Sequence, residues 1–213
     1  MDSATLHPDQ SCTVLPLFHC LTEEHDVPIR TAHEKDAAAI ANVHVESWRT
    51  TYKGIVPDDF LAHLSYAQRE QFWRQVLTEP GSRTIVYVAE DAQGTVMGFA
   101  SGGPERSGDP VYTGELYAIY LLAQHQGQGI GRQLVMPLVH HLWQDGMRGL
   151  LLWVLAANPA RKFYERLGGH PVYEKTVTLG GVALMEVAYG WRDVQALVKS
   201  QERQHSLGHS GQV

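Results

Sequence analysis

The sequence predicts an α+β fold built on a mixed central sheet, and three observations lead to this prediction. Hydrophobic residues recur every three to four positions in the first part of the chain, but the period shortens to that of a strand from residue 84 onward. Two turn signals, Gln93-Gly94 and Gly180-Gly181, each separate two apolar segments and predict hairpins. Leu150 to Leu155 is continuously apolar, which is typical of a strand buried on both faces.

Seven strands and four helices are expected, in the order β-α-α-β-β-β-α-β-α-β-β. The first helix covers residues 36–51, and the second, residues 67–78, ends at Glu79-Pro80-Gly81. A third helix follows a glycine-rich turn, and its interior Pro137 costs about 3 kcal/mol or bends the helix. Asn158 and Pro159 begin the fourth helix. The strands are predicted at residues 27–30, 84–89, 95–100, 115–122, 150–155, 172–179 and 182–189.

Length and patterning predict one domain with extensions. Of the 213 residues, 44% are hydrophobic and 19% charged, which is ordinary globular usage. We expect a flexible N-terminal extension at residues 1–26, the domain at residues 27–199 and a polar C-terminal tail at residues 200–213.

Charge and composition exclude several classes of function. The net charge of −6 argues against nucleic acid as a partner. No apolar run approaches the roughly 20 residues that span a bilayer, and the N-terminus lacks the basic region of a signal peptide, so we expect a cytoplasmic protein with no membrane partner. The two cysteines, Cys12 and Cys20, exclude a disulfide framework, and their spacing to nearby histidines matches no zinc pattern, so no metal site is expected.

The turn Gln126-Gly127-Gln128-Gly129-Ile130-Gly131, between a strand and a helix, is the strongest motif in the chain. Its glycines let the backbone approach a ligand closely, and the amides at the start of the helix have no partner within the helix. Together with Arg132, they favour an anion with several oxygens, such as a pyrophosphate. The spacing fits neither the dinucleotide fingerprint nor the P-loop.

This turn and its neighbours resemble the GNAT superfamily of acyl-CoA-dependent N-acyltransferases. Gln126, Gly129 and Gly131 fit the family signature Gln/Arg-x-x-Gly-x-Gly/Ala. Residues 115–121 resemble the family's fourth strand, residues 158–168 resemble its second conserved helix, and residues 47–58 resemble an N-terminal helix and loop of many members. The resemblance covers about residues 27–191. It implies a mostly antiparallel sheet of about seven strands, flanked by about four helices, and acetyl-CoA as the acyl donor.

The resemblance also implies which residues hold the donor. Main-chain amides of the turn would bind the pyrophosphate, and the strand before it would pair with the pantetheine arm as in β-augmentation. Asn158 is expected to cap the fourth helix and, by resemblance, to touch the same arm. The expected donor-binding residues are Ile119, Tyr120, Leu121, Gln126, Gly127, Gln128, Gly129, Ile130, Gly131, Arg132 and Asn158.

Tyr164 and Glu115 are the candidate catalytic residues. The phenol of Tyr164 could protonate the leaving thiolate, although a core tyrosine with a satisfied hydroxyl is the alternative. Glu115, eleven residues before Gln126, matches the place of a catalytic glutamate in the histone-acetylating branch of the family. It could serve as the base, bind substrate by charge, or lie at a solvated strand end. Strand periodicity places Glu115, Tyr117, Ile119 and Leu121 on one face.

Three aromatic residues are candidates for the acceptor site. Trp48 and Tyr52 are four residues apart and share a helix face, which suits either a wall for a cationic amine or a core stripe. Tyr117 shares the expected face of Glu115, and Tyr120 is expected on the opposite face.

The sequence therefore predicts an N-acetyltransferase acting on a primary amine of a small or amino-acid-like molecule. A protein N-terminal or lysine acetyltransferase and a non-catalytic acyl-CoA-binding module are the alternatives. The sequence does not identify the acceptor, and it leaves a homodimer open.

Overall fold

The structure is a computed structural model that describes residues 27–195 and 197 of the 213-residue chain. The predictions for residues 1–26 and 200–213 therefore lie outside the described residues. The strands are β1 (Ile29–Thr31), β2 (Ile85–Glu90), β3 (Val96–Pro104), β4 (Gly114–Leu121), β5 (Leu150–Leu155), β6 (His170–Leu179) and β7 (Val182–Trp191). The helices are α1 (Ala37–Thr51), α2 (Asp58–Ala62), α3 (Tyr66–Thr78), α4 (Ile130–Gln144) and α5 (Arg161–Arg166).

The seven strands form one sheet in the order β1-β2-β3-β4-β5-β7-β6. Neighbouring strands are antiparallel except β4 and β5, which run parallel. The predicted mixed, mostly antiparallel sheet is thus confirmed. Both predicted hairpins form, and the second turns through Gly180 and Gly181, whose φ values of 57° and 80° require glycine.

Helices cover both faces of the sheet. Leu134, Leu138 and Leu142 of α4 are fully buried in the larger core cluster on one face. On the other face, Ile40 of α1 and Trp73 of α3 pack with apolar residues of β2 and β3. These apolar stripes at three-to-four spacing explain why both segments form amphipathic helices. In the described part of the chain no helix is long and apolar enough to cross a bilayer.

Two differences from the predicted elements have physical reasons. The short helix α2 adds a fifth helix in a segment predicted as irregular, because five residues carry too little periodicity to be recognised. Strand β3 continues past the predicted residue 100 through Ser101, Gly102 and Gly103, whose small side chains hide the alternation. At Gly102 a Cβ atom would lie 2.7 Å from the carbonyl oxygen of Glu115, so only glycine lets β3 and β4 approach.

Pro137 does not end α4, which continues from Ile130 to Gln144. The predicted start of the helix, which carries the glycine-rich turn, is therefore preserved. The flanking residues Met136 and Leu138 are both buried, so tertiary packing holds this segment helical despite the missing backbone donor.

Candidate active site

A gap in the middle of the sheet dominates the candidate site. Strands β4 and β5 are paired only at Gly114 with Leu150 and at Glu115 with Leu151. Beyond these positions β4 pairs with β3 and β5 pairs with β7, so the two parallel strands diverge. Residues 117–120 of β4 keep partial exposure although β4 is the central strand of seven. A central strand with solvent access and one unpaired edge can accept an extended ligand as a further strand.

The glycine-rich turn closes one end of this gap. Gly127 and Gly129 adopt left-handed φ values of 76° and 83°, and Gly129 lies immediately before the first residue of α4. Within the described part of the chain, no backbone carbonyl outside α4 accepts from the amides of residues 127–131. These amides and the positive end of the helix dipole form a ready anion site.

Side chains of the turn stabilise its shape. The Gln126 side-chain amide donates to the carbonyl of Leu121 at 2.9 Å, which ties the turn to the end of β4. The Gln128 side-chain amide donates to the carbonyl of Gln124 at 3.0 Å. Both glutamine side chains thus stabilise the conformation of the turn and do not point to a direct role in binding a ligand. A Cβ atom at Gly131 would lie 3.4 Å from the Phe163 ring, so α5 packs directly beside the anion site.

Tyr164 of α5 lies within a group of tyrosines near the gap. It is 5% exposed, and burial raises the pKa of its hydroxyl well above the ordinary value, with a further contribution from Tyr52. Its hydroxyl forms no hydrogen bond with another described residue, yet it is not among the fully enclosed polar atoms that lack a partner. The hydroxyl is therefore nearly buried but has no protein partner, in contrast to the predicted alternative of a core tyrosine with a satisfied hydroxyl.

Asn158 connects α5 to this group. Its Oδ1 accepts from the amide of Ala160 at 2.8 Å. The predicted helix start at Asn158 is wrong, because the regular helix begins at Arg161 with Ala160 as its N-cap and without a side-chain cap, so this bond stabilises the turn before α5. Its Nδ2 donates to the hydroxyl of Tyr52 at 3.3 Å. One buried side chain therefore fixes both the turn before α5 and the position of Tyr52, the residue that ends α1.

The aromatic wall on α1 contains Trp48 and Tyr52, as predicted, with ring centroids 4.8 Å apart. Tyr120 of β4 joins it, and the hydroxyls of Tyr52 and Tyr120 each perturb the other's pKa. Burial raises the pKa of the Tyr120 hydroxyl, and a contact with the Trp48 side chain opposes that rise, so the Trp48 indole lies beside this hydroxyl.

His44 belongs to the same wall, and the sequence analysis did not single it out as a site residue. Its ring stacks on Tyr120 with centroids 5.0 Å apart, and Trp73 Nε1 donates to its Nδ1 at 3.2 Å. Burial and the charge of Arg69 lower its pKa from 6.5 to about 3. His44 is therefore neutral, with its proton on Nε2.

Glu115 lies at the closed end of the gap and is 3% exposed. Both of its oxygens accept from Arg106, at 2.9 Å from Nε and 2.5 Å from Nη2. The same guanidinium lies 4.3 Å from the centroid of the Tyr117 ring, and Glu115 raises the pKa of Arg106. Sequence analysis missed Arg106, because it lies in the loop after β3 and no spacing rule links it to β4.

The predicted common face of β4 is wrong in part. Glu115 and Tyr117 both contact Arg106, but Ile119 and Leu121 pack in the cluster of α4, on the opposite side from Tyr120. The pairing of β4 with β3 shifts at Ser101 and Gly102, where Leu116 and Ala118 are paired and Tyr117 is skipped. This bulge changes the alternation by one residue, and it brings Tyr120 to the side of α1.

The comparison with known proteins identifies the family. Residues 42–169 match the acetyltransferase (GNAT) family. This chain belongs to that family. As a GNAT protein it is an N-acetyltransferase, and the predicted resemblance is confirmed.

Two curated relatives and one solved structure illustrate this GNAT membership. The chain is 44% identical over 173 residues to the uncharacterized N-acetyltransferase YuaI of Bacillus subtilis (strain 168), covering 80% of this chain and 96% of the relative. It is 27% identical to the L-amino acid N-acyltransferase MnaT of Escherichia coli (strain K12), covering 62% and 72%. The structure of yncA, a putative acetyltransferase from Salmonella typhimurium with its cofactor acetyl-CoA, has a TM-score of 0.61 and 24% identity, covering 78% and 93%.

Proposed function

We propose that this GNAT protein transfers an acetyl group from acetyl-CoA directly to the primary amine of a small or amino-acid-like molecule, with Tyr164 as general acid. The observation that carries the proposal is the gap between β4 and β5, which has unpaired amides of the glycine-rich turn at one end and the Tyr164 hydroxyl, without a protein partner, beside it. The relative named as an L-amino acid N-acyltransferase supports this acceptor class.

The residues of the gap fit the proposed donor. The amides of residues 127–131, with Arg132 at the start of α4, would hold the pyrophosphate. The free edge of β4 at Ile119, Tyr120 and Leu121 would pair with the pantetheine arm, and Asn158 borders the same space. Bound there, acetyl-CoA supplies the acetyl group as a thioester with a thiolate leaving group.

Tyr164 keeps its proton until transfer. Because burial raises the pKa of the Tyr164 hydroxyl, the phenol is fully protonated at neutral pH. The same apolar surroundings increase the basicity of a thiolate formed beside it, which compensates for the weakened acid. Tyr164 then donates its proton from Oη to the leaving sulfur.

The acceptor amine is proposed to approach from the aromatic wall of Trp48 and Tyr52, with Tyr117 at its far end. Glu115 is proposed as the base. Since Arg106 holds both carboxylate oxygens, this role requires the Arg106 side chain, which is 64% exposed, to move away. The charge of Glu115 would then be available to an ammonium group.

Tyr164→Phe tests the proposal. We expect kcat for thiol release to fall roughly 100-fold or more, because the proton donor is lost, while acetyl-CoA affinity measured by calorimetry stays unchanged. Tyr173→Phe, at an exposed tyrosine, is the matched control and should leave both quantities unaltered.

Three outcomes would overturn parts of the proposal. Unaltered turnover of Tyr164→Phe across the pH range would remove the acid role. Wild-type protein that binds acetyl-CoA but releases no thiol with any amine would indicate a non-catalytic binding module. Turnover with peptide amines alone would indicate a protein acetyltransferase.

A further inference from the structure

A separate pocket lies where the chain passes from α2 to α3. Its lining residues are Phe60, His63, Leu64, Ser65, Gln68 and Arg69. None of them is acidic, and the Nδ1 of His63 is engaged by the carbonyl of Asp59 at 2.6 Å. The one formally charged group that lines the pocket is the guanidinium of Arg69.

Arg69 differs from the other arginines of α1 and α3. Arg49 donates to the carbonyls of Leu61 and Leu64, at 3.4 and 3.1 Å, and to the hydroxyl of Tyr66 at 2.8 Å. Arg74 bonds to Glu34 and Glu70, at 3.1 and 2.7 Å. Within the described residues the side chain of Arg69 has no ion pair and no hydrogen bond, although it is partly buried. A guanidinium without a protein partner is available to pair with an anionic group of a ligand.

The pocket lies next to the aromatic wall, because Phe60 belongs to both. Phe60 lines the pocket and also lies against Trp48, with ring centroids 6.1 Å apart. Arg69 is close enough to His44 for its charge to lower the pKa of that histidine. The end of the acceptor site next to this pocket therefore presents a positive charge, which suits an anionic oxygen group.

We propose that Arg69 binds the carboxylate of an acceptor that carries both an amine and a carboxylate, so that the acceptor is an α-amino acid or a close derivative. This inference rests on the proposed function and adds the site that selects the acceptor. A planar guanidinium pairs with a carboxylate through two parallel hydrogen bonds, which would orient the acceptor along the wall with its amine away from the pocket.

The test uses the full chain and pairs of acceptors that differ only in charge, namely a panel of L-amino acids and the α-amide of each. For wild type, kcat/KM should be higher for each accepted acid than for its amide. Arg69→Gln should lower kcat/KM for the acids roughly 10- to 100-fold, mainly through KM, and leave the amides within about twofold. Arg69→Lys should recover part of the loss. Arg74→Gln removes a charge from the same helix and should change neither class.

A binding measurement separates this inference from the proposed function. Calorimetry in the presence of coenzyme A should show that wild type binds an acid of the panel and that Arg69→Gln binds it at least tenfold more weakly. Acids and amides that decline equally in Arg69→Gln, or acids that do not decline, would overturn the carboxylate site and leave the proposed function standing. Wild type that binds acids through Arg69 yet releases no thiol with any amine would overturn the proposed function and keep the site.

Discussion

His44 is a histidine that folding keeps uncharged. Its pKa is lowered from 6.5 to about 3, first because it is buried and second because Arg69 lies near it. In the unfolded chain the same ring takes up a proton as the pH falls below about 6.5. The unfolded state therefore binds more protons between pH 6.5 and 3, so stability is lost as the pH falls through this range.

We predict that His44→Gln reduces this pH dependence. Between pH 6 and pH 4 the free energy of unfolding of wild type should fall by about 1.4 kcal/mol per pH unit more than that of the variant. Urea denaturation at a series of pH values measures the difference. His170→Gln, at an exposed histidine, should keep the wild-type slope; equal slopes for wild type and His44→Gln would contradict a buried neutral ring.

Glu115 and Arg106 form an ion pair, and a double-mutant cycle can measure the interaction energy between the two side chains. Removing Arg106 alone leaves a buried carboxylate without its counter-charge, so Arg106→Gln should lower the free energy of unfolding by about 1–2 kcal/mol. The double variant with Glu115→Gln should recover most of that loss. Additive losses in urea denaturation would show that the two side chains are not coupled.

Catalysis gives an independent measure of Glu115. As the proposed base, Glu115 is needed for turnover, so Glu115→Gln should lower kcat at least 100-fold. A variant that loses stability but keeps kcat would limit Glu115 to a structural role.

At the scale of elements, the glycine-rich turn offers two glycines with different requirements. Gly129 has φ of 83°, a conformation that costs a residue with a Cβ roughly 1–2 kcal/mol. Gly131 is helical, and a Cβ there would make an ordinary contact at 3.4 Å with the Phe163 ring.

Gly129→Ala should therefore lower the thermal midpoint and weaken acetyl-CoA binding at least tenfold, because the turn must change shape to accept it. Gly131→Ala should keep both properties close to wild type, which makes it the matched control. A thermal-shift titration with acetyl-CoA measures both effects. Equal behaviour of the two variants would mean that the backbone of Gly129 does not shape the anion site.

The sequence predicts those elements that have a strong hydrophobic period or characteristic turn residues. Of the candidate site, it predicts the part formed by one local motif, the glycine-rich turn. The apolar run of β5, the double glycine before β7 and the Gly129 turn are local signals, and each is confirmed. The bulge at Tyr117 is different, because the sequence of β4 contains no signal for it and it is seen only in the pairing of β4 with β3. Arg106 lies in the loop after β3, and its ion pair with Glu115 of β4 appears only in the folded chain.

At the scale of the whole molecule, we propose that residues 27–199 fold as an independent unit. The amide of Val27 donates to Gln133 of α4 at 3.1 Å, while Val194 and Leu197 are buried in the core cluster of that helix. A chain of residues 27–199 should therefore unfold cooperatively with a urea midpoint close to that of the full chain.

A shorter chain, residues 27–191, is the matched control for this prediction. It lacks two buried apolar side chains, each of which contributes about 1.5–3 kcal/mol, so its free energy of unfolding should fall by several kcal/mol. A 27–199 chain that is as unstable as the control would show that residues outside these bounds belong to the folded unit.

The short pairing between β4 and β5 has a mechanical consequence. The sheet consists of a four-stranded part, β1 to β4, and a three-stranded part, β5 to β7. The two parts are joined by backbone pairing only at one end of β4 and β5. An extended ligand bound between β4 and β5 would restrain the relative motion of the two parts of the sheet, so a ligand that binds more tightly should also make the sheet more rigid. Amide hydrogen exchange along the facing edges of β4 and β5 should then slow most where the two strands are farthest apart. A ligand in this space would thus act as a structural part of the protein.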